Sequence, residues 1–227
     1  DPLPPPPAWD KGHAVSSRFI HDLATDWRVL SIVTELLGAD VILWGASLAI
    51  REPGEAHPWH TDIETSGAEG TAVSVWIGLE NARTALKLIP GSHWFAKSLQ
   101  QRAGEAGFRR GEPTDEIVQQ WAHAEDRHAT VINPPMEDGE AIFFDGRLWH
   151  GSMNADNEVR TALVLQYATP ATRIRMPDPS VLEWPFRFRD DEDPPCIVVS
   201  GNGNDSRNLI VAAPAMSSTP SAASPHA

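Results

Sequence analysis

Cysteine is almost missing from this chain. The single Cys196 excludes an internal disulfide and any cysteine-rich zinc site, and it suits a reducing compartment, so the cytoplasm is the expected location. No run of eighteen or more apolar residues occurs, so no membrane-spanning helix is expected. Basic residues are in deficit, with 18 Lys and Arg against 31 Asp and Glu, a formal net charge of -13 and a pI near 5.0. Phosphate backbones and anionic lipid surfaces are gripped through basic surface, so nucleic acid and membrane are poor partners and a small molecule is the better one. The opening Asp1-Pro2-Leu3-Pro4-Pro5-Pro6-Pro7 lacks the charged and apolar regions of a signal peptide, and no initiator Met precedes it, which points to a start inside a longer polypeptide. Internal repeats are absent.

At 227 residues the chain suits one domain, expected over residues 1–211, followed by a low-complexity tail at 212–227 whose Ala, Ser, Pro and Thr cannot bury enough apolar surface to offset its ordering entropy. The proline run predicts an extended arm, because proline fixes φ and lacks a donor. Between Ser17 and Leu37 the apolar residues Phe19, Ile20, Leu23, Trp27, Leu30, Val33 and Leu36 recur at helical spacing, and Gly38 is a stop signal, so one or two helices are expected. Apolar, β-branched runs bounded by turn residues predict strands over Val41–Ile50, Ala72–Leu79, Ala85–Ile89, Ala129–Ile132, Glu140–Phe144, Arg160–Ala168 and Cys196–Ser200. A charged, helix-friendly excursion from Phe95 to Ala124, with Thr114 as an N-cap, separates two strand blocks. The pattern fits a mainly β fold, a double-sheet jelly roll with flanking helices, whose open mouth can hold a ligand.

Two segments about ninety residues apart carry the chemistry: His60-Thr61-Asp62 and His150-Gly151-Ser152, the latter followed by Arg160. In an extended segment residues i and i+2 share a face, so His60 and Asp62 can converge on one ion. An isolated His-x-Asp is a weak signal, and an exposed one usually does nothing. Here the second element, Phe143-Phe144-Asp145-Gly146-Arg147-Leu148-Trp149-His150, sets a further histidine after an apolar strand and turn. Two imidazoles and one carboxylate on one face of a metal form the triad that holds non-heme Fe(II) and leaves other positions open. Arg160 begins a strand, and a guanidinium aimed into a barrel needs an anion. The far carboxylate of 2-oxoglutarate fits, through two parallel charge-assisted hydrogen bonds. The plainer reading of Arg160 is a surface salt bridge to Asp156 or Glu158.

Together with Pro90-Gly91-Ser92-His93, the strand Ser74-Val75-Trp76-Ile77-Gly78-Leu79 and His150-Gly151-Ser152-Met153-Asn154, these segments resemble the phytanoyl-CoA dioxygenase family of Fe(II)/2-oxoglutarate oxygenases, over roughly Leu36 to Ala168. The resemblance implies that His60, Asp62 and His150 ligate iron, that Arg160 and Ser152 hold the distal carboxylate of 2-oxoglutarate, that Trp76 lines its pocket, and that Leu48 occupies a co-substrate position. It also implies O2 as co-substrate, release of succinate and CO2, and hydroxylation of an unactivated C–H bond in a small metabolite or carrier-linked intermediate. Since Asp62 supplies a carboxylate, the ligand gap that the family's halogenating relatives fill with chloride is absent. One departure is the stretch Asn81-Ala82-Arg83-Thr84-Ala85-Leu86, where relatives usually carry Asn-Gly. Relatives also tend to begin with a further strand and helix region.

His57 and Trp59 flank the motif and are candidates for substrate contact, against solvation and packing as the plainer roles. The Pro53-Gly54 and Pro58-Trp59 pairs shape an approach loop, His93 serves a structural turn, and Trp149 shields the distal ligand. Phe186-Arg187-Phe188-Arg189, with Arg173 and Arg175, reads as a half-exposed strand by its alternation, or as an anion-attracting patch. Two further readings of the whole stay open: a catalytically silent jelly-roll binding module, and a zinc hydrolase, since two histidines and an aspartate also hold zinc with a water. A monomer or homodimer is expected.

Overall fold

Three helices lead into the first strand, and the caps of the second and third are written in the sequence. Helix α1 (His13–Ser16) runs into α2 (Arg18–Ala24), which starts at Ser17, whose hydroxyl accepts from Ile20 N, and α3 (Trp27–Leu37) starts at Asp26, whose carboxylate accepts from Arg28 N. Gly38, at φ 92°, ends α3 in a conformation that side chains disfavour. The helices expected between Ser17 and Leu37 are thus α2 and α3, divided at Thr25-Asp26. The computed structural model describes residues 10–62, 70–83, 86–178, 187–189, 191–204 and 206–215. The proline arm and nearly all of the tail expected at 212–227 lie outside these residues.

The strands among the described residues are β1 (Val41–Arg51), β2 (Ala56–His60), β3 (Ala72–Glu80), β4 (Leu86–Leu88), β5 (Ala141–Asp145), β6 (His150–Met153), β7 (Arg160–Ala168), β8 (Pro195–Ser200) and β9 (Leu209–Ile210). They form a six-stranded sheet in the order β5-β3-β7-β1-β8-β9 and a three-stranded sheet in the order β2-β6-β4. Pairing is antiparallel except between β8 and β9. This is the jelly roll the strand pattern predicted.

Alternation divides the large sheet into two faces. Leu43, Val73, Val75, Leu163, Leu165 and Tyr167 face outward and bury Ala14, Ile20, Ala24 and Val33 of the helices. Trp76, Phe144 and Ala162 face inward, against Leu86 and Leu88 of the small sheet. Tyr167 is fully buried, and its hydroxyl donates to the Ala24 carbonyl at 2.7 Å, which ties the helical layer to the central strand. Among the described residues no helix is long and apolar enough to cross a membrane.

Several expectations are revised. Ala129–Ile132 is not a strand: only Ile132 bridges Leu88, while the Gln119 side chain takes up Val131 N at 2.8 Å and the Ala129 carbonyl at 2.7 Å, so a helix side chain satisfies the backbone that a strand partner would. Asn133-Pro134-Pro135 then removes further donors. The segment around Pro58 is a strand, not a loop, because β2 is an edge where proline's missing N–H costs no ladder bond. Strands β6 and β9 and helix α1 also went unforeseen. The excursion after Phe95 contains α4 (Leu99–Glu105), with a Ser98–Gln101 capping box, and α5 (Asp115–Glu125), capped by Thr114 as expected.

The arginine patch near the carboxyl terminus is largely neutralised in place. Arg173 pairs with Asp193, Arg189 with Asp191 and Glu192, and Arg175 stacks over Phe188 at 3.7 Å from the ring centroid. Phe186 lies outside the described residues.

Two outcomes test this packing. Replacing Tyr167 with Phe leaves the buried Ala24 carbonyl without its donor and should cost about 1–3 kcal/mol in urea unfolding. Burial pushes the Cys196 thiol up to about 12, so at pH 8 the native protein should not react with a thiol reagent, whereas the urea-unfolded chain should label fully.

Candidate active site

The two histidines meet through a register shift. Strands β2 and β6 pair His57 with Ser152, then slip across Pro58-Trp59 so that His60 stands opposite His150. Their rings are 4.1 Å apart, and Asp62, two residues on, brings its carboxylate within 3.5 Å of His60 Nε2 and 3.8 Å of His150 Nε2. One ligand atom from each of the three lies within 4.8 Å of the others, the spacing of a metal site.

The surrounding bonds fix the ligand atoms. His60 Nδ1 is 2.8 Å from the Pro58 carbonyl and His150 Nδ1 is 2.9 Å from that of Leu148. A carbonyl can only accept, so each Nδ1 carries the proton and each Nε2 keeps its lone pair for the ion. Ser74 of β3 donates to Asp62 Oδ2 at 2.5 Å and orients the carboxylate. Burial alone would raise the pKa of Asp62, yet the two histidines outweigh it and hold the carboxyl well below its usual range, while burial brings His150 down to about 4. Asp62 and His150 are therefore deprotonated near neutral pH, the form that binds a metal. The donor set fits a hard or borderline divalent ion with open positions, and no cysteine competes.

Gln100 of α4 locks the residue between His60 and Asp62. Its side-chain carbonyl accepts from Thr61 N and Oγ1 at 3.0 and 3.1 Å, and its NH2 donates to the Thr61 carbonyl at 3.0 Å. Nothing in the sequence marks this glutamine for the role, whereas its neighbour Gln101 completes the Ser98-x-x-Gln101 capping box.

A cavity of about 330 Å3 opens between the two sheets and includes all three triad residues, with Trp76 and Ser152 on its walls. Arg160 is 1% exposed and points inward from β7 behind them. It donates to Ser152 Oγ at 3.2 Å and to the Met153 carbonyl at 2.9 Å, and it sits 5.9 Å from the Trp76 ring centroid. Its Nε is buried without a hydrogen-bond partner, and among the described residues no carboxylate forms an ion pair with it, so the surface salt bridge to Asp156 or Glu158 is not made. A buried cation with a spare donor beside a hydroxyl is a seat for an anion.

Arg51, the register partner of Arg160, also lines the cavity and went unnoticed in the sequence. Parity could have found it, since Ser47, Ala49 and Arg51 alternate inward once the β1 face is known. Leu48 borders the cavity but has the outward parity and is 41% exposed. His57 lines the cavity, 3.0 Å from Arg51 Nη2, and burial lowers its pKa to about 2, so it is neutral. Trp59 turns the other way: it packs with Ile89, Leu99 and Val118, and its indole donates to Asp115 at 2.8 Å.

The turns around the site are held as their residues require. Gly91, at φ 84°, opens the Pro90–His93 turn, and Ser92 Oγ accepts from Trp149 N at 2.8 Å, next to His150. Trp149 is buried against Phe95. In the departure from Asn-Gly, Asn81 itself takes the left-handed conformation at φ 55°, and Asp138 accepts from the N–H groups of Asn81 and Ala82.

The phytanoyl-CoA dioxygenase (PhyH) family model matches residues 8–161, a span that holds the triad and Arg160. The chain belongs to the phytanoyl-CoA dioxygenase family. Comparison with curated proteins gave no match. Among solved structures, EctD from S. alaskensis is 27% identical with a TM-score of 0.52, over 74% of this chain and 59% of that one. The epimerase SnoN from nogalamycin biosynthesis, solved with Fe3+, alpha ketoglutarate and nogalamycin RO, is 20% identical with a TM-score of 0.52, over 69% and 62%. ThoJ, a non-heme monooxygenase, is 17% identical with a TM-score of 0.56, over 89% and 67%. This member of the family thus spans 59 to 67% of the lengths of these three neighbours.

The positioning bonds give a test. Ser74→Ala and Gln100→Ala should each weaken divalent-metal binding by about tenfold or more, as loss of outer-sphere partners usually does, measured by calorimetric titration of the metal-free protein with Mn(II).

Proposed function

We propose that this chain is an Fe(II)- and 2-oxoglutarate-dependent oxygenase that hydroxylates an unactivated C–H bond of a small molecule. The observation that carries the reading is the buried Arg160 guanidinium with its unpartnered Nε, set behind a cavity that ends at a His-Asp-His cluster. A hydrolytic metal site has no need of that anion seat, and a silent binding module has no need of open metal positions.

In this reading His60, Asp62 and His150 hold Fe(II), and Arg160 and Ser152 take the far carboxylate of 2-oxoglutarate beside Trp76. Arg51 adds a second positive charge at the same end of the cavity, suiting a dianion. When bound, the metal, 2-oxoglutarate and O2 supply the oxidising power, with succinate and CO2 leaving. The protein's part is positional. Phe144, 4.7 Å from the His150 ring, and the lining residues Leu86 and Val164 keep one side of the cavity apolar and exclude water. Hydroxylation is supported by the likeness to EctD, whose structure with 2-oxoglutarate and 5-hydroxyectoine is 26% identical to this chain.

Anaerobic addition of Fe(II) and 2-oxoglutarate should give a visible metal-to-ligand charge-transfer band. Arg160→Ala should raise the 2-oxoglutarate concentration for half-formation by about 10- to 100-fold, the loss expected for a charge-assisted bond. A wild-type protein that binds Fe(II) but shows no band at saturating 2-oxoglutarate would end this reading.

A further inference from the structure

Two uncharged polar side chains of the cavity, Gln166 and Ser47, have no protein partner among the described residues. Gln166 of β7 is 2% exposed and lines the cavity, and among the described residues its side-chain amide makes no hydrogen bond. Its amide opens onto the cavity and is not among the buried polar atoms sealed off without a partner, so a molecule in the cavity can complete its hydrogen bonds. The backbone is shaped around it. At Gly45, beside a bulge in β1, an added Cβ would stand 2.6 Å from Gln166 Oε1 and 3.2 Å from Gln166 Cβ, so only glycine lets the amide lie there.

Its place separates it from the anion seat. Gln166 is the register partner of Ser74, whose hydroxyl holds Asp62, so it stands at the metal end of the cavity. Arg160 lies six residues back along the same strand, about 20 Å at 3.3 Å per residue, and its side chain reaches Ser152 at the other end. Ser47, facing inward two residues after Gly45, adds a hydroxyl whose side chain likewise has no partner among the described residues.

We infer that Gln166 and Ser47 form the recognition site for the primary substrate, and that the substrate presents there a neutral amide or lactam edge. The inference rests on the oxygenase reading for the word substrate, and on geometry for the site. A side-chain amide offers an acceptor beside two donors in one plane. A carboxylate would satisfy its NH2 and face its carbonyl with like charge, an ammonium would satisfy its carbonyl and face the NH2 with positive charge, and a hydrocarbon would satisfy neither. An amide or lactam edge pairs with both. The cavity of about 330 Å3 must also hold the keto acid, so only the reacting end of a substrate enters.

The test uses the full chain loaded with Zn(II) and 2-oxoglutarate, titrated with 2-pyrrolidinone and with cyclopentanone, a ring of the same size that lacks the N–H, by saturation-transfer NMR. The lactam should bind about tenfold tighter in the wild type, and Gln166→Leu should abolish the difference. Should Gln166→Leu not fold, the isosteric Gln166→Glu decides, since it lacks the amide donor and should weaken both rings. Equal binding of the two rings by the wild type, a preference that survives Gln166→Leu, or a Gln166→Glu protein that binds both rings undiminished, overturns the inference. So does a Gln166→Leu protein that needs more 2-oxoglutarate for its charge-transfer band, because the amide would then belong to the co-substrate. A lactam preference in a protein that forms no band would leave this site standing and remove the oxygenase reading instead.

Discussion

The pairing of β2 with β6 is the constraint on which the rest depends. Without the slip at Pro58-Trp59, the alternation that pairs His57 with Ser152 would not set His60 against His150. The slip is tolerated because β2 is an edge strand, where a proline breaks no ladder bond and the bulged residues can turn their side chains elsewhere. Trp59 uses that freedom, swinging to the helical excursion while the residue after it turns to the metal site.

From that pairing the electrostatics follow. Three ionisable groups packed so closely in a buried place would repel or neutralise one another unless their protonation were fixed from outside. Two backbone carbonyls fix the imidazole tautomers, and one serine hydroxyl fixes the carboxylate. The excursion between the strand blocks, which carries no ligand, contributes Gln100 and so couples a helix to the geometry of the metal loop. The cavity is polar at both ends and apolar along one side, with Arg160 and Arg51 at one end, the triad and Gln166 at the other, and Leu86, Phe144 and Val164 between them.

Much of the fold could be read in advance because its signals are local. The helical spacing of apolar residues in α2 and α3, the threonine cap of α5, the β-branched runs of β1, β3 and β7 and the glycine at 38 each act over a few residues. The misreading of Ala129–Ile132 shows the limit: its β-branched residues suit a strand, but a glutamine from α5 took its backbone bonds first. The short strands β2 and β6 were missed for the opposite reason, since Pro58 and the Gly151-Ser152 pair are poor strand formers that pairing with each other overrides.

The candidate site divides in the same way. His60, Asp62, His150 and Arg160 could be named from residue type, spacing and resemblance, because metal and anion chemistry restrict the side chains that serve. Ser74, Gln100 and Gln166 could not, because a serine or a glutamine has many uses, and only its neighbours across the sheet or from a distant helix select one. Local chemistry wrote the ligands and the helix caps into the order of residues. Register, sheet face and the packing of the excursion chose which ordinary polar side chains surround those ligands, since each such choice depends on contacts between segments tens of residues apart, which composition and periodicity do not encode.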